Sequence, residues 1–178
     1  MKRILTVIAL LVWSVTALAQ ESQLPQVLEI AEVDTESGYT ACQIVDVPVG
    51  SQHHYFFDVG TLGFGDELIQ VNIDPLFHLF IPLGDTLAEA KDMLQQLQEL
   101  AKSKPGSCIE LSGTLSPGYP GDVYEPVMVT ARKVLLSRSL EFSIQREGYI
   151  RAAYVSRMDL NSLVGSVKFY SKIHPKEK

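Results

Sequence analysis

Residues 86–101 read TLAEAKDMLQQLQELA. Thr86 stands three residues before Glu89, the spacing of a capping box, in which each side chain satisfies a backbone N–H at the other end. Apolar residues follow at Leu87, Ala90, Leu94, Leu97 and Ala101, with Met93 and Leu100 widening the stripe. That period predicts one amphipathic helix of about four turns. Lys91, Asp92, Gln95, Gln96 and Gln98 make its solvent face. Lys102 and Lys104 suit its negative end, and Pro105-Gly106 stops it.

The same grammar recurs further on. Ser156 stands three residues before Asp159, and Leu160, Leu163, Val164, Val167 and Tyr170 keep a helical period. Val167 to Ile173 also suits a strand, but the start signal and the spacing together predict a second helix. A shift of 70 residues lays Thr86 on Ser156, and Ala90, Leu94 and Leu97 on Leu160, Val164 and Val167.

Strand patterns fill the rest. Gln26–Val33, Tyr39–Val47 and His53–Val59 precede a glycine loop at Gly60–Gly65. Glu67–Ile73 forms a hairpin with the segment before it, and Leu76–Leu83 is a further strand closed by Pro82 and Gly84. On the second strand, Tyr39, Ala41, Gln43, Val45 and Val47 share one side. After the first helix come Ser107–Leu115, a loop over Ser116–Pro126, and strands at Val127–Ser137, Ser139–Arg146 and Tyr149–Val155. Strands cluster and helices do not alternate with them, so the fold class is α+β, with mostly antiparallel sheet and both helices on one face. The pattern predicts a single domain over 20–178. Within it lies a duplicated unit of three or four strands and a helix, at about 26–104 and 107–173.

Residues 1–19 have the build of a secretory leader. Lys2 and Arg3 begin it, an apolar run from Ile4 to Leu18 follows, and Ala17-Leu18-Ala19 offers a cleavage site. The run is shorter than the roughly 20 residues of a spanning helix, so no membrane anchor is expected after cleavage. The expected location is the periplasm or the medium. Removing Lys2 and Arg3 from 15 basic residues leaves 13 against 21 acidic ones, a net charge of −8. Nucleic acid and anionic lipid need clustered positive charge and are not expected partners. The leader and the small acidic α+β build resemble small exported single-domain proteins of Gram-negative bacteria, a likeness that transfers no active residue.

Cys42 and Cys108 are the two cysteines. In an oxidising compartment they are candidates for a disulfide. It would close a loop of about 66 residues, worth ~3–4 kcal/mol. Neither has a second Cys or His at zinc-ligand spacing, so no metal is expected there. No cofactor is implied.

The segment Ser116–Pro126 is the most distinctive stretch for binding. Its prolines stiffen it and lower the ordering cost. Tyr119 and Tyr124 offer flat amphipathic faces for a glycan, a peptide or an envelope protein, and Asp122 and Glu125 can accept hydrogen bonds. The alternative is a hydrolase-like enzyme with a dispersed site around His53, His54, Asp58, Asp66 and Glu67. A metal there would require His78 or a distant carboxylate. The sequence contains no serine-nucleophile elbow and no phosphate loop. The leading expectation is therefore an exported, non-enzymatic binding module, with no catalytic residue assigned.

Overall fold

The computed structural model describes residues 27–34, 41–65, 71–115, 117–118, 122–134, 136–146 and 149–174. Residues 1–19, where a leader is expected, and Asp66, Glu67 and Tyr119 lie outside them. Four strands and a helix occur twice in succession: β1 (Leu28–Asp34), β2 (Ala41–Asp46), β3 (Tyr55–Gly65), β4 (Val71–Gly84) and α1 (Leu87–Lys102), then β5 (Cys108–Gly113), β6 (Glu125–Val134), β7 (Ser137–Arg146), β8 (Tyr149–Ser156) and α2 (Arg157–Ile173). This is an α+β fold built from two four-stranded antiparallel meanders.

Pairing between β3 and β8, Leu62 with Ala152 through Gly65 with Tyr149, joins the meanders into one eight-stranded sheet. A second junction lies just past β5, where Phe80 and Thr114 exchange backbone hydrogen bonds of 2.8 and 2.9 Å. Gly113 makes that approach possible. A Cβ there would meet Val127 Cγ2 at 2.7 Å and Leu79 Cδ1 at 2.9 Å.

Both helices start as the spacing predicts. Thr86 Oγ1 accepts from Glu89 N at 3.2 Å, and Glu89 Oε2 accepts from Thr86 N at 3.1 Å. Ser156 and Asp159 form the same reciprocal pair, both at 3.1 Å. Gly84 turns β4 into α1 at a φ of +126°, and a Cβ there would strike the Glu89 side chain that reaches back to the cap. At the other end of α1, the Arg138 guanidinium donates to the carbonyls of Lys102 and Ser103. Carbonyls left over at a helix end are satisfied in this way.

The predicted stripes are the core. Leu87, Ala90, Leu94, Leu97 and Ala101 of α1 are buried, as are Leu160, Leu163, Val164 and Val167 of α2. They share one cluster with Ile44, Phe57, Leu79 and Ile81 of the first meander and Val129, Leu140, Phe142 and Val155 of the second. Phe57 and Phe142 meet edge to face at 5.4 Å and tie the halves together. The helices touch each other as well, with Gln98 Nε2 donating to Asn161 Oδ1 at 2.8 Å.

Three expectations change. The glycine segment from Gly60 to Gly65 is not a loop but part of β3, and the segments at 71–73 and 76–83 are one strand, β4. Partners run from Thr61–Phe77 straight to Gly63–Asn72, so Ile73 to Leu76 bulge opposite Leu62. Pro75 lies in that bulge, and a proline has no N–H to give the ladder. On β2 and just past it, the expected sharing of one side holds for Val45 and Val47, which join Phe56 and Phe80 in a smaller cluster, whereas Cys42 and Ile44 face the main core. Both faces of β2 are thus apolar, which hides its orientation from a simple alternation rule. The third change is the cysteine pair. Cys42 is buried in the core on β2, whereas Cys108 is exposed at the start of β5, and both are free thiols. Cys108 shares the outward parity of Glu110 and Ser112. One sulfur faces in and the other out, so no bond joins them.

Candidate functional site

The outer face of the first meander carries its polar chemistry. Asp58 lies on β3 and His78 on β4. The register places Asp58 opposite Phe80 and His78 opposite Gly60, so the two are diagonal neighbours. His78 Nδ1 and Asp58 Oδ1 are 2.7 Å apart. Asp58 is buried and His78 is about half exposed. The Asp58 hydrogen bond raises the imidazole above its ordinary pKa of 6.5, outweighing the opposing effect of burial. His78 also stacks on Phe80, at 6.2 Å between ring centres. Beside them, Gln43 Nε2 donates to Glu32 Oε1 at 3.0 Å.

His53 and His54 sit at the end of the same meander, just before β3. His53 Nδ1 lies 2.7 Å from the buried Asp46 Oδ2 at the end of β2, and His54 Nδ1 lies 2.7 Å from the exposed Asp85 Oδ1 beyond β4. These histidines are adjacent in sequence, and their carboxylates belong to different neighbours of β3. Each of these three histidines therefore has its own aspartate, and among the described residues the three pairs share no common centre. Among the described residues, no group of three or more His, Cys, Asp or Glu side chains is placed to hold a metal ion.

The loop before β6 is described from Asp122. Val123 and Tyr124 are 64% and 46% exposed, while Asp122 and Glu125 are half-buried. Glu125 belongs to β6, where it pairs with Gly113. Partial burial and then the charge of Asp122 raise the Tyr124 phenol above its ordinary value of 10.0.

Two clefts lie elsewhere. One, of about 570 Å³, runs between β1 and α2 and is lined by Ile30, Gly165, Ser166, Phe169, Tyr170 and Ile173. The other, of about 390 Å³, lies between the β6–β7 turn and the start of α2, lined by Leu136, Arg138, Arg157 and Met158 among others. Sequence reading missed the first cleft because it follows the apolar stripe and stops there. Its signal was Phe169 and Ile173, apolar side chains off the buried stripe of α2. The aspartate partners of the histidines were illegible for another reason, since strand register alone brings them together. Among the described residues, no helix is long and apolar enough to cross a membrane. Compared with protein-family models, curated proteins and solved structures, the chain has no significant match.

Proposed function

We propose that this chain is an exported, non-enzymatic binding protein. It takes a glycan, a peptide or an envelope partner on the loop that leads into β6. The leader supports the address, in the periplasm or the medium. The observation that carries the binding role is the outward placement of Val123 and Tyr124 on a proline-bordered loop. Two neighbouring large side chains in water cost the free protein solvation free energy that a ligand would recover. Tyr124 also brings a hydroxyl for orientation, and Asp122 and Glu125 flank it with carboxylates.

The enzyme alternative rests on Asp58–His78, a base held by a buried carboxylate. Among the described residues, the polar side chain that His78 meets is Asp58, and no hydroxyl or thiol completes a nucleophilic unit there. The binding reading therefore has the stronger support.

The test is the double variant Val123→Ser/Tyr124→Ala, screened against glycan and peptide panels beside the parent. Both side chains are exposed, so the melting temperature should hold, and a ligand found for the parent should be lost. A ligand bound equally by parent and variant would remove the loop from the reading.

A further inference from the structure

β1 ends the strand order, with β2 on one side and no strand on the other among the described residues. An edge strand offers a row of backbone donors and acceptors that only another extended chain can match. The cleft between β1 and α2 runs beside it, and Phe169 and Ile173 of α2 are 64% and 57% exposed there. A strand next to a helix-walled apolar cleft is the geometry of peptide binding by β-augmentation. Main-chain hydrogen bonds give affinity, and pockets for alternate side chains give selectivity.

The side chains of β1 define the occupant. Register shifts between Glu29 and Ala31, so Ile30 is an extra residue in a bulge. Glu29 pairs with Val45 and Glu32 with Gln43, which puts both acids on the outer face although they are three apart. Ala31 pairs with Ile44 on the inner face, and Ile30 lines the cleft. An added strand therefore meets carboxylates with one set of alternate residues and the apolar cleft with the other.

We propose that β1 and α2 form a docking groove for an extended peptide that alternates basic and apolar residues. Its basic side chains pair with Glu29 and Glu32, and its apolar ones enter the cleft against Ile30, Phe169 and Ile173. A second copy of this chain is the poorer occupant. Antiparallel pairing of two β1 strands would set the acids of one copy beside those of the other, and like charges across a ladder destabilise it. The groove is separate from the loop before β6, and the inference stands even if that loop binds nothing.

Two synthetic octapeptides, one alternating Lys and Val and one alternating Glu and Val, test the groove against the full chain by calorimetry and amide-shift mapping. The Lys–Val peptide should bind, shifting amides of residues 28–34 and 165–173, and the Glu–Val peptide should not. Phe169→Glu should weaken binding at least about tenfold, the usual cost of losing an anchor. That variant adds negative charge, so plain charge attraction would strengthen instead. Glu29→Lys/Glu32→Lys should reverse the preference toward Glu–Val. The proposal is overturned if neither peptide binds, if Phe169→Glu binds Lys–Val as well as the parent does, or if sedimentation shows a dimer that Phe169→Glu dissolves.

Discussion

The two faces of the sheet are made from the same strands and do different work. The inner face is one continuous apolar surface under both helices, with residues such as Ile44, Phe57, Ile81, Val129 and Phe142 fully buried. The outer face keeps a small apolar cluster at Val45, Val47, Phe56 and Phe80 and the exposed Met128, Ile150 and Tyr154, and beside these it carries hydrogen-bonded polar pairs: Glu32 with Gln43, Asp58 with His78, and Arg132 with Glu141. Stability is thus concentrated on one side, and the other is left for chemistry with solvent or partners. Burying a leucine fully contributes about 1.5–3 kcal/mol, whereas an exposed ion pair contributes about 0–1.

The largest expected effect follows from that division. Leu94→Ala empties a fully buried position between α1 and the sheet. It should destabilise the protein by about 2–5 kcal/mol. Met128→Thr, at an exposed outer-face position on β6, should change stability by no more than about 0.5 kcal/mol. Urea unfolding of both variants checks the contrast, and equal losses would mean that the outer face also carries the fold.

The cysteines give a sharper version of the same contrast. Burial raises the Cys42 thiol to about 12, with the charges of Asp159, Asp58 and Glu32 adding to it. The thiolate is the reactive form, so Cys42 is protected twice, by proton affinity and by access. In the native protein at pH 8, a thiol reagent should label Cys108 and leave Cys42 intact, and unfolding should release the second thiol. Two unlabelled sulfurs in the unfolded, unreduced protein would restore the disulfide.

What was legible in the sequence was what depends on near neighbours. Thr86 with Glu89 and Ser156 with Asp159 each act over three residues, and both helix starts follow from them. The buried stripes likewise repeat every three or four positions. The cysteines show the limit. In β5 the alternation correctly puts Cys108 with Glu110 and Ser112, but in β2 apolar residues on both faces conceal which way Cys42 points. The candidate site divides in the same way. Tyr124 is conspicuous in its loop, whereas Asp46, Asp85 and the Asp58–His78 diagonal are products of strand pairing between distant residues. The glycines after Val59 pointed to a loop, and Leu76 to the start of a fresh strand, because local propensity says so, and the β3–β4 pairing overrode both with a bulge at Ile73 to Leu76.

The smallest effect concerns the outer face alone. In the folded protein His78 titrates above 6.5, chiefly because Asp58 accepts its hydrogen bond. A group whose pKa is higher folded than unfolded binds protons more tightly in the native state. Its stabilisation is fully present below pH 6.5 and is lost as the pH rises through the raised folded value. The His78→Gln variant lacks that titration. The stability difference between parent and variant should therefore be greatest in mild acid and shrink on going alkaline, levelling off once His78 is neutral. The ring is 45% exposed, so solvent screens the pair and the swing belongs in the range of about 0–1 kcal/mol known for exposed ion pairs. Unfolding both proteins in urea from pH 5 to 9 measures it. A difference that grows with pH would mean that Asp58 holds the neutral imidazole, and the outer face would then be a hydrogen-bonded surface with no charge pair at its centre.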